Sequence, residues 1–383
     1  MMERQATAAA REPDALDADA LYVTGWGVVS PLGIGADAFS AAFVEERDAL
    51  VEVTGMYEEK LPAERAFALP DFRAKELLGR KGTRFFDRAT GLALVACDEA
   101  LRDTAITVTD GNRADVGLVL GTTSGSVKST SDFSRDTITQ DRPYLVNPVL
   151  FPNAVMNCAA GQAAIWFGLK GVNTTIAGGR TAHLAALRYA LRSLSWGDAN
   201  TLLVGAVEEF SPHSAWLAHL GGGRAPVGEG AAVFAVERGA ALAGTDRRPE
   251  AEILAVLTGS ADPDDRPGFV TAFAGCVRQA LARAGVAPGD LWAVAPGHGE
   301  AESEPEHEVL ALVLGAADGP DAALRLPVTR LVGDCGAAQG GLQLAAVLAH
   351  HRRAAALDGR PALITSCTAD GAFGAAVVRG WQR

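Results

Sequence analysis

Strand-like apolar runs and amphipathic helical stretches alternate along almost the whole chain, and the second half repeats the theme of the first. LYVTGWGVVSPLG at 21–33 reads as a buried strand closed by a turn at Pro31. A helix is expected over 34–48, then an irregular stretch to 80. Leu92, Val95, Ala96, Ala100 and Leu101 recur at helical spacing within 87–103. DVGLVLGTTSGS (115–126) is a continuous apolar strand entering a Gly/Ser/Thr loop. TTIAG (174–178) runs into a helix that carries Leu184, Leu187, Ala190, Leu191 and Leu194 on one face and stops at Gly197. TLLVGAVEE (201–209) and GAAVFAVE (230–237) are further strands. The second half then offers strands at 251–260, 291–297 and 326–333, and helices at 267–286, 304–315 and 336–352. ALITSC and AAVVRG supply the last strands. Such alternation implies βαβ units, with helices on both faces of a sheet and a duplicated α/β core.

Composition narrows the function classes. The 383 residues are 48% hydrophobic, enough for a sizeable core, with a net charge of -12. An acidic balance argues against nucleic acid and anionic membrane as main partners. No apolar run has the length a membrane span needs. Residues 1–20 lack the apolar segment of a secretory signal and read as a disordered leader. Cys97, Cys158, Cys276, Cys335 and Cys367 are scattered and never spaced C-x-x-C. That usage fits a reducing cytoplasm, with no disulfide framework, metal or other cofactor expected.

The junction TTIAGGRTAH is the most informative spot for chemistry. A strand ending at a helix N-terminus often carries a nucleophile, because the free N–H groups favour an anion. Here the junction residue is Arg180, which cannot serve as nucleophile or base. Locally it reads as a surface arginine at a helix start. His298, in PGHGE after an apolar strand, stands where α/β sheets place functional groups, although a strand-end histidine is also a common structural feature. His307 lies in a run with Glu302, Glu304, Glu306 and Glu308, read as a solvated helix start with no metal-ligand spacing. His183, His350 and His351 need no role beyond packing or capping. GTTSGS (121–126) lacks the Lys-Ser/Thr ending of a phosphate loop.

The motifs VTGWGVVSPLG, LVLGTTSGS, NPVLFPNAVMNCAAGQAAI, GLKGVNTTIAGG, VGAVEEFSP, VGEGAAVFAVE, PGHG and VGDCGAAQGG resemble, in order, those of the β-ketoacyl-acyl-carrier-protein synthases. The resemblance spans about 20–383. It implies the thiolase fold: two duplicated βαβαβαββ halves, here 21–245 and 246–383, in a five-layer αβαβα sandwich. Active members use a Cys nucleophile and two His for decarboxylation and enolate stabilisation. The Cys position falls on Arg180 and the first His on His298. The second His falls on Asp334, in GDCGAA with one residue fewer, and the active-site Lys on Thr329. The C-terminal F-G-F-G-G-T-N pattern is replaced by CTADGAF (367–373), and a loop before VGEG is shortened to GGGRAP (221–226).

A synthase without its nucleophile resembles the chain length factor, the β subunit of type II polyketide ketosynthases, and in its motifs the highly reducing or polyene systems. The implied function is a subunit with no activity alone, which heterodimerises with an active ketosynthase α subunit and limits product length at the shared tunnel. Arg departs from the Gln usual at this position. The reaching loop falls on Asn147, Pro148, Val149, Leu150, Phe151 and Asn153, with Leu150 poised toward the partner's acyl pocket. The acyl carrier protein, with its phosphopantetheine-bound chain, is expected to dock mainly on the partner. Two rival readings are a malonyl-carrier-protein decarboxylase used in priming, and a homodimeric scaffold that binds acyl carriers. Arg180 and Asp334, opposite in charge and assigned to one pocket, are expected to pair.

Overall fold

The computed structural model describes residues 16–223, 225–299, 304–315 and 322–382. Most of the expected disordered leader, 1–15, lies outside them. Its last residues, 16–20, instead form a turn: the Asp17 N–H donates to the Tyr22 hydroxyl at 3.2 Å, and the Ala240 N–H to the Ala18 carbonyl.

Five strands of the N-terminal half are β1 (Leu21–Ser30), β2 (Val116–Thr122), β3 (Asn173–Ala177), β4 (Thr201–Glu208) and β5 (Gly230–Arg238). They lie in the order β3-β2-β4-β5-β1. The second half supplies β6 (Ala251–Ser260), β7 (Ala293–Ala295), β8 (Leu324–Arg325), β9 (Pro361–Cys367) and β10 (Ala372–Gly380). Their order, β8-β7-β9-β10-β6, is the same permutation. In each half the third and second strands are parallel and the fifth runs antiparallel to both neighbours. The expected duplication is therefore present at the level of topology. A short antiparallel contact, Tyr22↔Glu252 and Val23↔Ala251, joins the two sets into one continuous array.

The helices used below are α1 (Arg88–Asp103), α2 (Val127–Thr139), α3 (Cys158–Phe167), α4 (Ala182–Trp196), α5 (Pro212–Leu220), α6 (Arg266–Ala284), α7 (Glu304–Leu314) and α8 (Gln339–Arg353). α1 and α3 cover the outer face of the N-terminal sheet, and α6 and α7 that of the C-terminal sheet. α4 and α8 lie between the two sheets and complete five layers. This sandwiching explains the strand composition. All ten residues of β1 are buried, because helices occupy both faces, so the strand reads as a continuous apolar run without alternation.

Local chemistry fixes the ends of the elements. The Asp87 carboxylate accepts the Thr90 N–H at 2.7 Å and caps α1. Gly197, at φ 81°, ends α4 in the left-handed region that favours glycine. Gly27 is demanded by closeness: a Cβ there would lie 2.2 Å from the Ala96 carbonyl oxygen of α1. In the middle layer, every residue of α8 from Gln339 to Ala349 is buried. The many Gly and Ala residues of 336–352 are what permits this.

One expected strand is wrong. Residues 326–333 form a short helix, Val328–Val332, and pairing is confined to the two residues of β8. Val328, Leu331 and Val332 are buried together, an i, i+3, i+4 set, and Pro327 immediately precedes the first turn. The β-branched composition of LPVTRLVG concealed a helical period.

Candidate functional site

β2 and β3 run parallel with Thr122 beside Ala177, and both chain segments turn at the same sheet edge. After Ala177 the chain passes Gly178 and makes a single 3-10 turn, Gly179–Thr181, before α4. Arg180 sits in that turn. Its guanidinium reaches across to the C-terminal half, where Nη2 pairs with Asp334 Oδ2 at 2.6 Å and Nη1 donates to the Gly297 carbonyl at 2.8 Å. The Arg180 carbonyl in turn accepts the Ser366 hydroxyl at 3.1 Å. The local reading of Arg180 as a surface residue is corrected: its side chain is only 14% exposed.

Asp334 is held as firmly. Its backbone N–H donates to Pro226 O, its carbonyl accepts the Gly228 N–H, and Oδ1 accepts the Gly336 N–H at 3.0 Å. The expected Arg180–Asp334 pair therefore exists, and it offsets the unfavourable placement of a cation at the positive end of α4. Next to it, Glu208 at the end of β4 accepts the Ala337 N–H at 3.0 Å and the Thr123 hydroxyl. Burial pushes its pKa up to about 7, and the nearby Asp334 charge adds to the rise.

Thr329, where the resemblance places a lysine, donates its hydroxyl to Gly297 O at 3.2 Å and accepts from Gln339 Nε2 at 3.0 Å. The Gly297 carbonyl thus receives both Arg180 and Thr329. His298 follows on the cleft wall, and Glu306 orients it. The Glu306 Oε2 atom accepts the His298 backbone N–H and faces the ring Nδ1, both at 3.0 Å. Its Oε1 accepts the Gly297 N–H at 3.0 Å and the Thr365 hydroxyl at 2.6 Å. Burial alone would raise the Glu306 pKa. The His298 hydrogen bond and charge, with the Thr365 and Gly297 donors, hold it below the ordinary glutamate value.

Glu306 is the cleft-side residue that the sequence pattern conceals. It was assigned to a solvated acidic run, yet it is fully buried. The available signal was its register: Glu306, Val309 and Leu310 stand at i, i+3 and i+4, and both apolar partners are buried. Glu302, from the same run, lies outside the described residues.

Arg180, His298, Asp334 and Thr123 share a cleft of about 750 Å³ with Gly221, Gly222 and Gly223 of the shortened loop. Three of the four positions assigned by the family resemblance line this cleft, and the fourth, Thr329, meets Arg180 at the Gly297 carbonyl. The reaching-loop residues are not in this cleft. Val149, Leu150 and Phe151 occupy a separate 3-10 turn, Pro148–Ala154, and are about half exposed. Asn147 Oδ1 caps that turn by accepting the Val149 N–H, and Pro148 opens it. Phe151 packs on Phe133 of α2, with ring centroids 5.5 Å apart. Asn153 differs from the rest: it is buried, donates to Phe85 O at 2.7 Å and accepts from Cys158. Its position makes it a brace for the turn.

Chemically, the cleft offers a charged lock in place of a nucleophile. The guanidinium and carboxylate meet each other's charge, and the Thr181 hydroxyl in the same turn is spent on the Gly178 carbonyl at 2.9 Å. Among the described residues no helix is long and apolar enough to cross a membrane.

Comparison with known proteins agrees with this geometry. Residues 18–222, more than half of the chain, match the family described as "Beta-ketoacyl synthase, N-terminal domain". The solved ishigamide ketosynthase/chain length factor is 40% identical, with a TM-score of 0.85, and the match covers 94% of this chain and 99% of that one. A type II polyketide synthase acyl-carrier protein in complex with its ketosynthase, AntDE:AntF, shares the fold at 17% identity and a TM-score of 0.75, covering 95% of this chain and 100% of that one. The 3-oxoacyl-[acyl-carrier-protein] synthase 2 of Vibrio harveyi is 27% identical over 191 residues, 50% of this chain and 46% of its own length. The chain thus spans about half the length of the curated relatives it matches. With its duplicated strand order, five layers and strand–helix junction facing His298, the chain belongs to the β-ketoacyl synthase family.

Proposed function

We propose that this chain is the non-catalytic, chain-length-setting partner of an active ketosynthase. The observation that carries the reading is the Arg180–Asp334 ion pair, which fills the place where an acyl thioester would form. Condensation needs a nucleophile at the helix start and a proton donor for the enolate. An arginine is no nucleophile, and an aspartate side chain is not the imidazole that active members place there. The name of the 40% identical structure, a ketosynthase/chain length factor, supports the same reading.

Two features suit a partner. β3 ends the sheet with its outer edge unpaired among the described residues. Earlier in the chain, the segment 144–156 exposes Tyr144, Leu145, Val149, Leu150, Phe151, Val155 and Met156. Exposed apolar residues in such number mark an association surface. In this reading, Leu150 and its neighbours floor the acyl tunnel of the partner ketosynthase, and the acyl carrier protein docks on that partner.

The test is co-expression with a full-length ketosynthase that retains its Cys and two His. The reading predicts a one-to-one complex and products lengthened by at least one two-carbon unit when Leu150 is changed to Ala, because removing side-chain volume deepens a packed tunnel. An isolated chain that is a stable homodimer and ignores the ketosynthase would favour the scaffold reading. Carbon dioxide released from malonyl-carrier protein by this chain alone would favour the decarboxylase.

A further inference from the structure

The wall of the cleft carries a second constellation that the proposed function does not use. β7 and β9 are parallel neighbours with Ala295 beside Ile364. Three residues further along each strand direction stand His298 and Cys367, so the sheet register brings them side by side. The Cys367 Sγ lies 3.9 Å from His298 Nδ1, and Glu306 Oε2 lies 3.0 Å from the same nitrogen. The three donor atoms all fall within 4.8 Å of one another. We propose that His298, Glu306 and Cys367 form a three-ligand site for a thiophilic divalent cation, with Zn²⁺ the best match.

Geometry and donor chemistry agree on this ion. With Zn–N and Zn–O bonds of about 2.1 Å and Zn–S of about 2.3 Å, tetrahedral ligands stand roughly 3.4–3.6 Å apart. The observed separations bracket that range, so small side-chain rotations suffice. One imidazole, one thiolate and one carboxylate suit zinc and disfavour calcium and magnesium, which seek oxygen donors. The charges also cancel: Zn²⁺ binds as the thiol proton leaves to solvent, and thiolate and carboxylate together balance the metal.

The supporting shell is already built. Glu306 is held by the Gly297 and His298 N–H groups and by the Thr365 hydroxyl, which leaves its carboxylate little freedom to turn away. For the metal to bind, His298 takes the tautomer protonated on Nε2, and its Nδ1 lone pair exchanges the Glu306 contact for the ion. Glu306 is fully buried and Cys367 nearly so, while His298 borders the cleft. Three protein ligands beside an open cleft leave a fourth position for water or a carbonyl oxygen, the pattern of an open zinc site.

The experiment uses the full chain, stripped with a chelator and titrated with Zn²⁺ and with Co²⁺. The proposal predicts one equivalent of zinc bound at micromolar concentration, and a near-ultraviolet thiolate-to-cobalt charge-transfer band. Cys367→Ser should weaken zinc binding at least tenfold and erase the band, whereas Cys97→Ser, in the separate core under α1, should change neither. Cys367→Ala, the smaller change in polarity, guards against misfolding of the Ser variant; its thermal melt should match the parent without metal. No stoichiometric binding, or binding and a band unaltered in both Cys367 variants, would overturn the site.

Discussion

At the scale of single residues, the cleft is defined by what Arg180 does with its charge. Removing the guanidinium leaves Asp334 facing Glu208 without its cation. Breaking an exposed pair costs little, and stripping one partner from a fully buried pair costs about 3–5 kcal/mol because the other charge is left uncompensated. With side chains 14% and 29% exposed, Arg180→Met should cost about 1–3 kcal/mol in urea unfolding, whereas the double change Arg180→Met with Asp334→Asn should recover part of the loss. Equal costs for single and double variants would show that the pair does not couple. A second residue-scale prediction concerns Glu209, which is buried and accepts the Ser126 hydroxyl at 3.0 Å and the Lys128 N–H at 3.2 Å. Burial, with the Asp87 charge adding, pushes its pKa up to about 8. Between its ordinary value of 4.5 and 8 the folded chain keeps a proton that the unfolded chain has lost. Stability from this group is therefore full below 4.5 and is lost as the pH rises through 8. Glu209→Gln should flatten the fall in urea midpoint between pH 5 and 8; an unchanged slope would assign it elsewhere.

At the scale of elements, the helices between the sheets carry the tightest constraints. On α8, a Cβ added at Gly341 would stand 2.9 Å from the Ala232 Cβ of β5. Gly341→Val should accordingly destabilise by about 1–3 kcal/mol through overpacking, read as a lower thermal midpoint, while Gly275→Ala on α6, with open space around it, should not. The elements also show what the sequence made legible. Most strands and helices were readable because each half of a sandwich imposes a simple pattern: continuous apolar strands, and helices with one apolar face. The Val328–Val332 helix was not, because it is short and rich in β-branched residues that mimic a strand. Glu306 was hidden for a related reason. Its carboxylate sits on the inward face of α7 among other glutamates, and only the register of Val309 and Leu310 distinguishes it. Arg180 and Asp334 were located through the family motifs. Their contact follows from opposite charge in one pocket, whereas the Gly297 carbonyl as shared acceptor required coordinates.

At the scale of the whole molecule, duplication brings two strand ends, one from each half, to face a common cleft. In an active synthase that cleft would carry the growing chain. Here Arg180 from the N-terminal half and Asp334 from the C-terminal half tie the two sides together, and the exposed turn at Pro148–Ala154 offers its side chains to another molecule. Under the proposed function, such a chain shapes space and holds no intermediate. The direct test is to incubate the complex of this chain and its ketosynthase with a labelled acyl-carrier protein, then weigh each intact subunit by mass spectrometry. The account predicts one acyl adduct on the ketosynthase and none on this chain. A stoichiometric acyl adduct on this chain, at any residue, would contradict it.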